Sequence, residues 1–290
     1  MLECVPNVSE GRDGGILGVL ARACGPSLLD LHRDTDHHRS VLTLAGPGRG
    51  DAADAIRALA DAVAGHLDQS THVGVHPRLG ALDVVPFVAL AGTGPEQAVT
   101  AAREFASWWA ERHSVPVFCY DAADPEARTL PATRRDAFTA RAPDFGPAAP
   151  HPRLGATAVG ARPPLVALNC VLDTDDVTVA RRIARRIRER DGGLPGVRAL
   201  GLELATVGRA QVSMNLVAPE LTGMEAASRA VQTAARAEGR DVEGVELVGL
   251  APRAVMRACS REFLTWSGID PQATIEDRLA RGPGSTGGVG

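Results

Sequence analysis

At 290 residues, with a formal charge of −4, 44% hydrophobic residues and 23% charged ones, the chain has an ordinary globular composition and is long enough for two compact units. Its negative balance argues against a general nucleic-acid binder, which needs a clustered basic surface to neutralise phosphates. All 31 basic residues are arginine, so Schiff-base and pyridoxal-phosphate chemistry and a phosphate-loop lysine are excluded, and anions must be held by arginine forks, helix N-termini or histidine.

In chain order, Leu2–Asn7 reads as a short apolar strand, Gly14–Cys24 has helical spacing, and Ser27–Leu31 and Ser40–Ala45 read as strands. A helix over Ala52–Leu67 and a strand over Leu82–Leu90 complete a β-α-β-β-α-β order. A helix at Pro95–Glu111 and a strand at Pro116–Tyr120 follow, then an irregular stretch from Asp121 to about His151, rich in Pro, Ala and Arg. The first order then returns: strand Leu165–Leu172, helix Val177–Arg190, strands Val197–Leu204 and Ala210–Val217, helix Met224–Glu238 and strand Val245–Leu250. Helices at Pro252–Leu264 and Thr274–Arg281 close the chain.

The expected fold class is α+β, as two tandem ferredoxin-like (βαββαβ) subdomains, each with two helices over a four-stranded antiparallel sheet. The expected boundaries are 1–162, including a crossing segment at 121–162, then 163–281, then a disordered Gly-rich tail at 282–290. Aromatics make up only 3% of residues, which predicts an aliphatic core. No segment approaches the roughly 20 apolar residues of a membrane-spanning helix, and the N-terminus does not read as a signal peptide, so a cytoplasmic location is expected. The five scattered cysteines predict reduced, mostly buried thiols.

The hexapeptide His-Pro-Arg-Leu-Gly-Ala occurs twice, at His76–Ala81 and His151–Ala156. Proline fixes φ after the histidine and glycine relaxes the backbone afterwards, so each copy presents an imidazole and a guanidinium on a turn. A repeated turn that only feeds a strand explains His151 equally well. His76 differs, because His72-Val-Gly-Val-His76-Pro-Arg78-Leu-Gly-Ala-Leu-Asp83 gathers two histidines, an arginine and a carboxylate in one segment. An imidazole there can take a proton from an attacking amine, Arg78 can hold a carboxylate, and Asp83 can fix a histidine tautomer. A second cluster, His32 to Ser40, permits metal binding by composition, yet its Asp34-Thr-Asp36 also reads as a hairpin turn with Arg39 as an anion contact at the strand entrance; no metal site is expected. The arginines at 181, 182, 185, 186, 188 and 190 form a solvated stripe on the expected helix Val177–Arg190, opposite Val179, Ile183 and Ile187, a surface that would attract a polyanionic tail only secondarily.

Several of these stretches are collinear with one known family. Glu3-Cys-Val-Pro-Asn7-Val-Ser9-Glu10-Gly11-Arg12, Asp36-His-His-Arg39-Ser40-Val, the His72–Asp83 segment, Arg128-Thr-Leu-Pro-Ala132, Ala142-Pro-Asp144-Phe-Gly146, Gly155–Arg162, Leu168-Asn169 and Ala210-Gln211-Val-Ser213-Met-Asn215-Leu resemble the glutamate formimidoyltransferase family from Leu2 to about Leu250. The resemblance implies a homodimeric enzyme that binds reduced folate in a central tunnel between two ferredoxin-like subdomains and moves a formimidoyl group from N-formimidoylglutamate to tetrahydrofolate in histidine breakdown. It places the family's catalytic histidine on His76. Asn7, Arg39, His72, Arg78, Asp83 and Asn215 are the candidates for substrate or folate binding. The cyclodeaminase domain of some relatives has no counterpart in this chain.

The chain departs from the family pattern at three places. The segment after Arg134 is short, with Arg135–Arg141 joined directly to Ala142-Pro-Asp144; His38 stands where asparagine is usual; and Val217-Ala218 replaces an acidic–aromatic pair. These places fall where the amino acid partner is expected, and they predict weaker use of N-formimidoylglutamate relative to a smaller or less acidic formimidoyl amine, with glutamate still the named partner. The other readings are the same folate chemistry with another amine, such as glycine or a biosynthetic intermediate, a folate-binding protein without turnover, and a metal-dependent hydrolase built on the His32–His38 cluster.

Overall fold

The computed structural model describes residues 1–46, 51–74, 77–90 and 92–281. Residues Met1–Pro163 form one compact unit and Pro164–Arg281 another. The expectation of a disordered tail concerns 282–290, outside the described residues. Both units mix helices and sheet, as the α+β reading requires.

In the first unit β1 (Leu2–Cys4) and β2 (Asn7–Val8) are two pieces of one strand, interrupted around Pro6, which has no N–H to give to a ladder. Helix α1 (Gly14–Ala23), hairpin β3 (Leu28–Asp34) and β4 (Arg39–Ala45), helix α2 (Asp51–His66) and β5 (Leu82–Ala89) follow. The β1/β2 strand lies between β4 and β5, and β3 lies outside β4, with every pairing antiparallel. The unit continues with α3 (Pro95–His113), β6 (Val117–Asp121), α4 (Leu130–Asp136) and β7 (Thr157–Ala161). Strand β7 pairs parallel to both β5 and β6 and extends the sheet.

Two expectations need correction here. The stretch read as irregular contains α4, which follows Thr129 at its N-terminal boundary and has a proline in its first turn, a position where the missing N–H costs nothing. The crossing segment also ends in a central strand. Thr157–Ala161 carries small residues and a glycine, so its local strand signal is weak; its pairing on both sides makes it a strand.

Helices α1, α2 and α3 bury Leu17, Leu20, Ile56, Leu59, Val63, Phe105 and Trp109 in one core with Leu42, Leu44, Val85 and Phe87 of the sheet. The aliphatic expectation therefore holds only in part. Trp109, Tyr120, Phe87, Phe105 and Phe118 are among the largest fully buried side chains, and rings of this kind are worth about 3–5 kcal/mol each in a close-packed core. The indole of Trp109 donates to Thr157 Oγ1 at 2.9 Å, and that hydroxyl donates to the Leu82 carbonyl at 2.7 Å, which ties α3 to the starts of β7 and β5.

The second unit runs β8 (Val166–Leu172), α5 (Val177–Ile187), β9 (Val197–Leu204), β10 (Arg209–Leu216), α6 (Met224–Ala237) and β11 (Val242–Val248), then α7 (Arg253–Arg257), α8 (Arg261–Ser267) and α9 (Ile275–Arg281). Its sheet is antiparallel in the order β11-β8-β10-β9. Asp176 caps α5 by accepting from the Thr178 N–H at 2.8 Å. Val179, Ile183 and Ile187 are buried as their spacing predicts, and Arg181, Arg182, Arg185 and Arg186 face solvent. The single helix expected over 252–264 is two helices, because Ser260 stops the run and caps α8 by accepting from the Phe263 N–H at 3.1 Å. All five cysteines are free and four are buried. Among the described residues no helix is long and apolar enough to cross a membrane.

Candidate active site

The β3–β4 turn opens the site. Asp34 accepts from the His37 N–H at 2.8 Å and lies 3.1 Å from His37 Nδ1, so its carboxylate closes the hairpin. His38 takes a left-handed φ of 48°. Its Nδ1 accepts from the Gly11 N–H at 3.1 Å and lies 3.5 Å from the Glu10 carboxylate, and its ring sits 4.0 Å from the ring of His72. The segment from His32 to Ser40 thus folds as the end of β3 and the start of β4 joined by a turn at 35–38. Among the described residues no three His, Cys, Asp or Glu side chains are grouped to hold a metal ion.

Arg78 reaches back to this turn. It donates to the carbonyls of His37 at 2.9 Å and His38 at 3.3 Å, and its Nη1 lies 2.7 Å from each ring nitrogen of His72. A guanidinium can only donate, so His72 must present a lone pair and hence a neutral ring. Burial, then the positive charges of Arg78 and His38, hold the His72 pKa down at about 4.

A histidine whose folded pKa lies below its unfolded value of about 6.5 favours the fold while neutral. Its contribution is complete above the unfolded pKa and is lost as pH falls toward the folded one. The Tm of the wild type is therefore expected to drop more between pH 6.5 and 4 than that of His72→Gln. Parallel melting curves for the two proteins across that window would refute a half-buried neutral His72.

Asp83, the second residue of β5, is 0% exposed. One carboxylate oxygen accepts from the Leu79 N–H at 2.7 Å; the other accepts from Arg39 Nη1 at 2.8 Å and from Arg134 Nη2. Arg39 also donates through Nε and Nη2 to Asn7 Oδ1 at 3.0 and 2.6 Å, and Arg134 Nη1 donates to the Pro77 carbonyl at 3.0 Å. Burial pulls the Arg39 pKa down to about 10 while Asp83 acts in the opposite direction, so the guanidinium remains charged at neutral pH.

The fold therefore brings Asn7, Arg39, His72, Arg78 and Asp83 into one connected cluster in the first unit, bridging β2, β4 and the start of β5. Asn215 lies on β10 of the second unit, opposite Ala167 and Arg198. His76 lies outside the described residues. Sequence reasoning misses Arg134, Glu10 and His38 as members of the site; the Thr129-Leu-Pro131 helix start is the local signal that places Arg134 on an ordered element.

The two hexapeptides meet. Ala81 N–H donates to the Leu154 carbonyl and Ala156 N–H to the Leu79 carbonyl, both at 3.0 Å, with Gly80 opposite Gly155. A side chain on Gly80 would collide with the carbonyls of Leu154 and Ala156, and one on Gly155 with that of Leu79; only glycine permits this approach. His151 turns inward on its own copy, its Nδ1 accepting from the N–H groups of Arg153 at 3.2 Å and Leu154 at 3.0 Å. A cleft of about 440 Å³ opens beside the cluster, lined by Glu10, Arg12, His38, His66, Asp68 and His72 among others.

Comparison with known proteins matches the same two stretches. The formiminotransferase domain, N-terminal subdomain, matches residues 1–162, and the formiminotransferase domain matches 167–270. The chain is 35% identical over 285 residues to the glutamate formimidoyltransferase of Streptococcus pyogenes serotype M1, covering 93% of this chain and 95% of that protein. It is 34% identical over 298 residues to the protein of that name from Thermoplasma acidophilum, covering 97% and 98%. It is 38% identical over 278 residues to the formimidoyltransferase-cyclodeaminase of Gallus gallus, covering 88% of this chain but 51% of that protein. These matches define an enzyme, a transferase of one-carbon groups. Within that class the chain belongs to the formiminotransferase family.

Proposed function

We propose that the enzyme moves a formimidoyl group between N-formimidoylglutamate and tetrahydrofolate, as a step of histidine degradation, with His76 as general base. The observation that carries this reading is the match to glutamate formimidoyltransferases along nearly the whole of both chains. The 5-nitrogen of tetrahydrofolate attacks the amidine carbon, and the tetrahedral intermediate collapses with loss of the amino acid amine. Neutral His76 takes the proton of the attacking nitrogen and returns it to the departing amine. Arg39, Arg78, Asn7, His72, Asp83 and Asn215 are the proposed contacts or supports for substrate and folate. Each half is read as a ferredoxin-like subdomain, divided at 162/163, with the protein a cytoplasmic homodimer. Support for the subdomain reading comes from strand order, since in both sheets the first strand of each β-α-β-β-α-β run lies between the third and the fourth.

One observation favours a different amine partner. Arg141 of the short segment is held by Asp144 at 2.7 Å and by Thr133 at 3.0 Å, so it is not spare for a second substrate carboxylate, and Arg135 is an exposed side chain paired with Asp136. A buried carboxylate without donors costs about 1–3 kcal/mol or more. The test is kcat/KM for N-formimidoylglutamate beside N-formimidoylglycine, each with tetrahydrofolate, read as 5,10-methenyltetrahydrofolate after acid treatment. The main reading, with glutamate as the partner, expects a higher value for the glutamate compound; a ratio at or below one is what the altered-partner reading expects and selects the other amine, and folate binding without turnover of either would leave only a binding protein.

A further inference from the structure

Four arginines stand around the site, and three of them are committed. Arg39 is spent on Asn7 and Asp83, Arg78 on the His37 and His38 carbonyls and on His72, and Arg134 on Asp83 and the Pro77 carbonyl. Arg12 differs. Its Nε donates to the Thr35 carbonyl at 2.9 Å, and its two terminal nitrogens take no hydrogen bond among the described residues. It lines the cleft of about 440 Å³ together with Glu10. We propose that Arg12 and Glu10 form the subsite for the formimidoyl amino acid, Arg12 taking its α-carboxylate and Glu10 its amidinium, an inference that rests on the formimidoyl-transfer reading.

Glu10 is placed to hold a cation. Its Oε1 accepts from the N–H groups of Arg12 at 2.7 Å and Asp13 at 2.9 Å, which fixes the carboxylate just ahead of α1, and Oε2 takes no hydrogen bond among the described residues. His38 Nδ1 lies 3.5 Å from Oε1. Burial holds the pKa of both His38 and His72 below the usual imidazole range, so the rings are neutral at neutral pH and do not answer the charge of Glu10. Asp68, the other acid of the wall, is engaged: it accepts from the Ser70 N–H at 2.9 Å and lies 3.7 Å from Arg153 Nε. The cleft thus offers a buried negative group beside an exposed positive one. A formimidoyl amino acid carries the complementary pair. Its amidine is protonated at neutral pH and presents a planar N–H edge that a carboxylate grips as it grips a guanidinium, and its α-carboxylate sits one carbon away from the amidine nitrogen. Charges so close together need partners on neighbouring residues, and Glu10 and Arg12 stand two positions apart in the chain. The volume is that of an ordinary small-molecule pocket.

The test matches each side chain to one group of the ligand, by calorimetric Kd in the absence of folate. The parent ligand is whichever of N-formimidoylglutamate and N-formimidoylglycine the wild type binds more tightly. Beside it stand its α-amide, which lacks the carboxylate, and the N-formyl compound, which lacks the cation. The wild type is expected to bind each analogue about 10-fold more weakly than the parent, the scale of one charge-assisted hydrogen bond. Arg12→Ala should lose that factor on the parent and no longer distinguish it from the α-amide, while still rejecting the N-formyl compound. Glu10→Gln, which keeps an acceptor for the two N–H groups, should do the converse. Both variants should keep a native far-UV spectrum and a KM for tetrahydrofolate near wild type. Arg12→Ala that rejects the α-amide as the wild type does, or Glu10→Gln that so rejects the N-formyl compound, overturns the inference, as does a wild type that binds neither parent. The expected pattern of affinities without any turnover would leave the subsite standing and overturn formimidoyl transfer.

Discussion

His76→Ala is expected to lower kcat by about 10²–10⁴-fold, the usual contribution of a general base, with affinity for reduced folate close to wild type. The two readouts should separate because the proton acceptor is needed where the attacking nitrogen becomes cationic, in the transition state, whereas the resting complex holds folate through other contacts. Steady-state turnover by the acid-revealed methenyl product, beside a folate titration, tests it. Wild-type turnover would show the base to be elsewhere. His151→Ala is the natural control, because that imidazole spends Nδ1 on the N–H groups of Arg153 and Leu154 in its own turn. It should cost about 0.5–1.5 kcal/mol of stability for the lost hydrogen bonds and leave the chemistry intact; equal kinetic losses at His76 and His151 would point to two reacting centres.

Asp83→Asn is expected to remove about 3–5 kcal/mol of unfolding free energy, the cost of taking one partner from a buried ion pair. The shape of the side chain survives this change and its charge does not. Arg39 and Arg134, with side chains 12% and 16% exposed around a carboxylate at 0%, would lose the negative charge they share. Against a total stability of about 5–15 kcal/mol, the loss is enough to make the variant marginal at ambient temperature. Urea unfolding of the two proteins measures it, with m unchanged if only the folded state is affected. A difference below about 1 kcal/mol would mean that water screens the two guanidiniums.

Much of the secondary structure was legible because its causes are local. Val179, Ile183 and Ile187 recur at helical spacing and end up buried; Val197–Leu204 matches its strand at both ends. The segment from His72 to Asp83 stood out for a related reason, since histidines, arginine and carboxylate crowd one short stretch, and the Asp34-Thr-Asp36 turn signal falls where β3 ends and the hairpin turn begins. Local reading failed where a long-range partner decides. Small residues at 157–161 become a central strand only because β5 and β6 lie on either side. Ser260 breaks a plausible long helix by bonding its own backbone, in competition with helical spacing on both sides.

By itself the sequence determined which residue types are available for proton transfer and anion binding, the alternation of strands and helices, and the family. Tertiary structure alone decided what those residues hold. Arg39 and Arg134 reach Asp83 from 44 and 51 positions away, and the second hexapeptide, read as a separate turn, lies against the first through a pair of glycines. Periodicity and capping act over a few residues and leave a pattern in the chain, whereas a buried carboxylate acquires its counter-ions only when the sheet and α4 have folded around it.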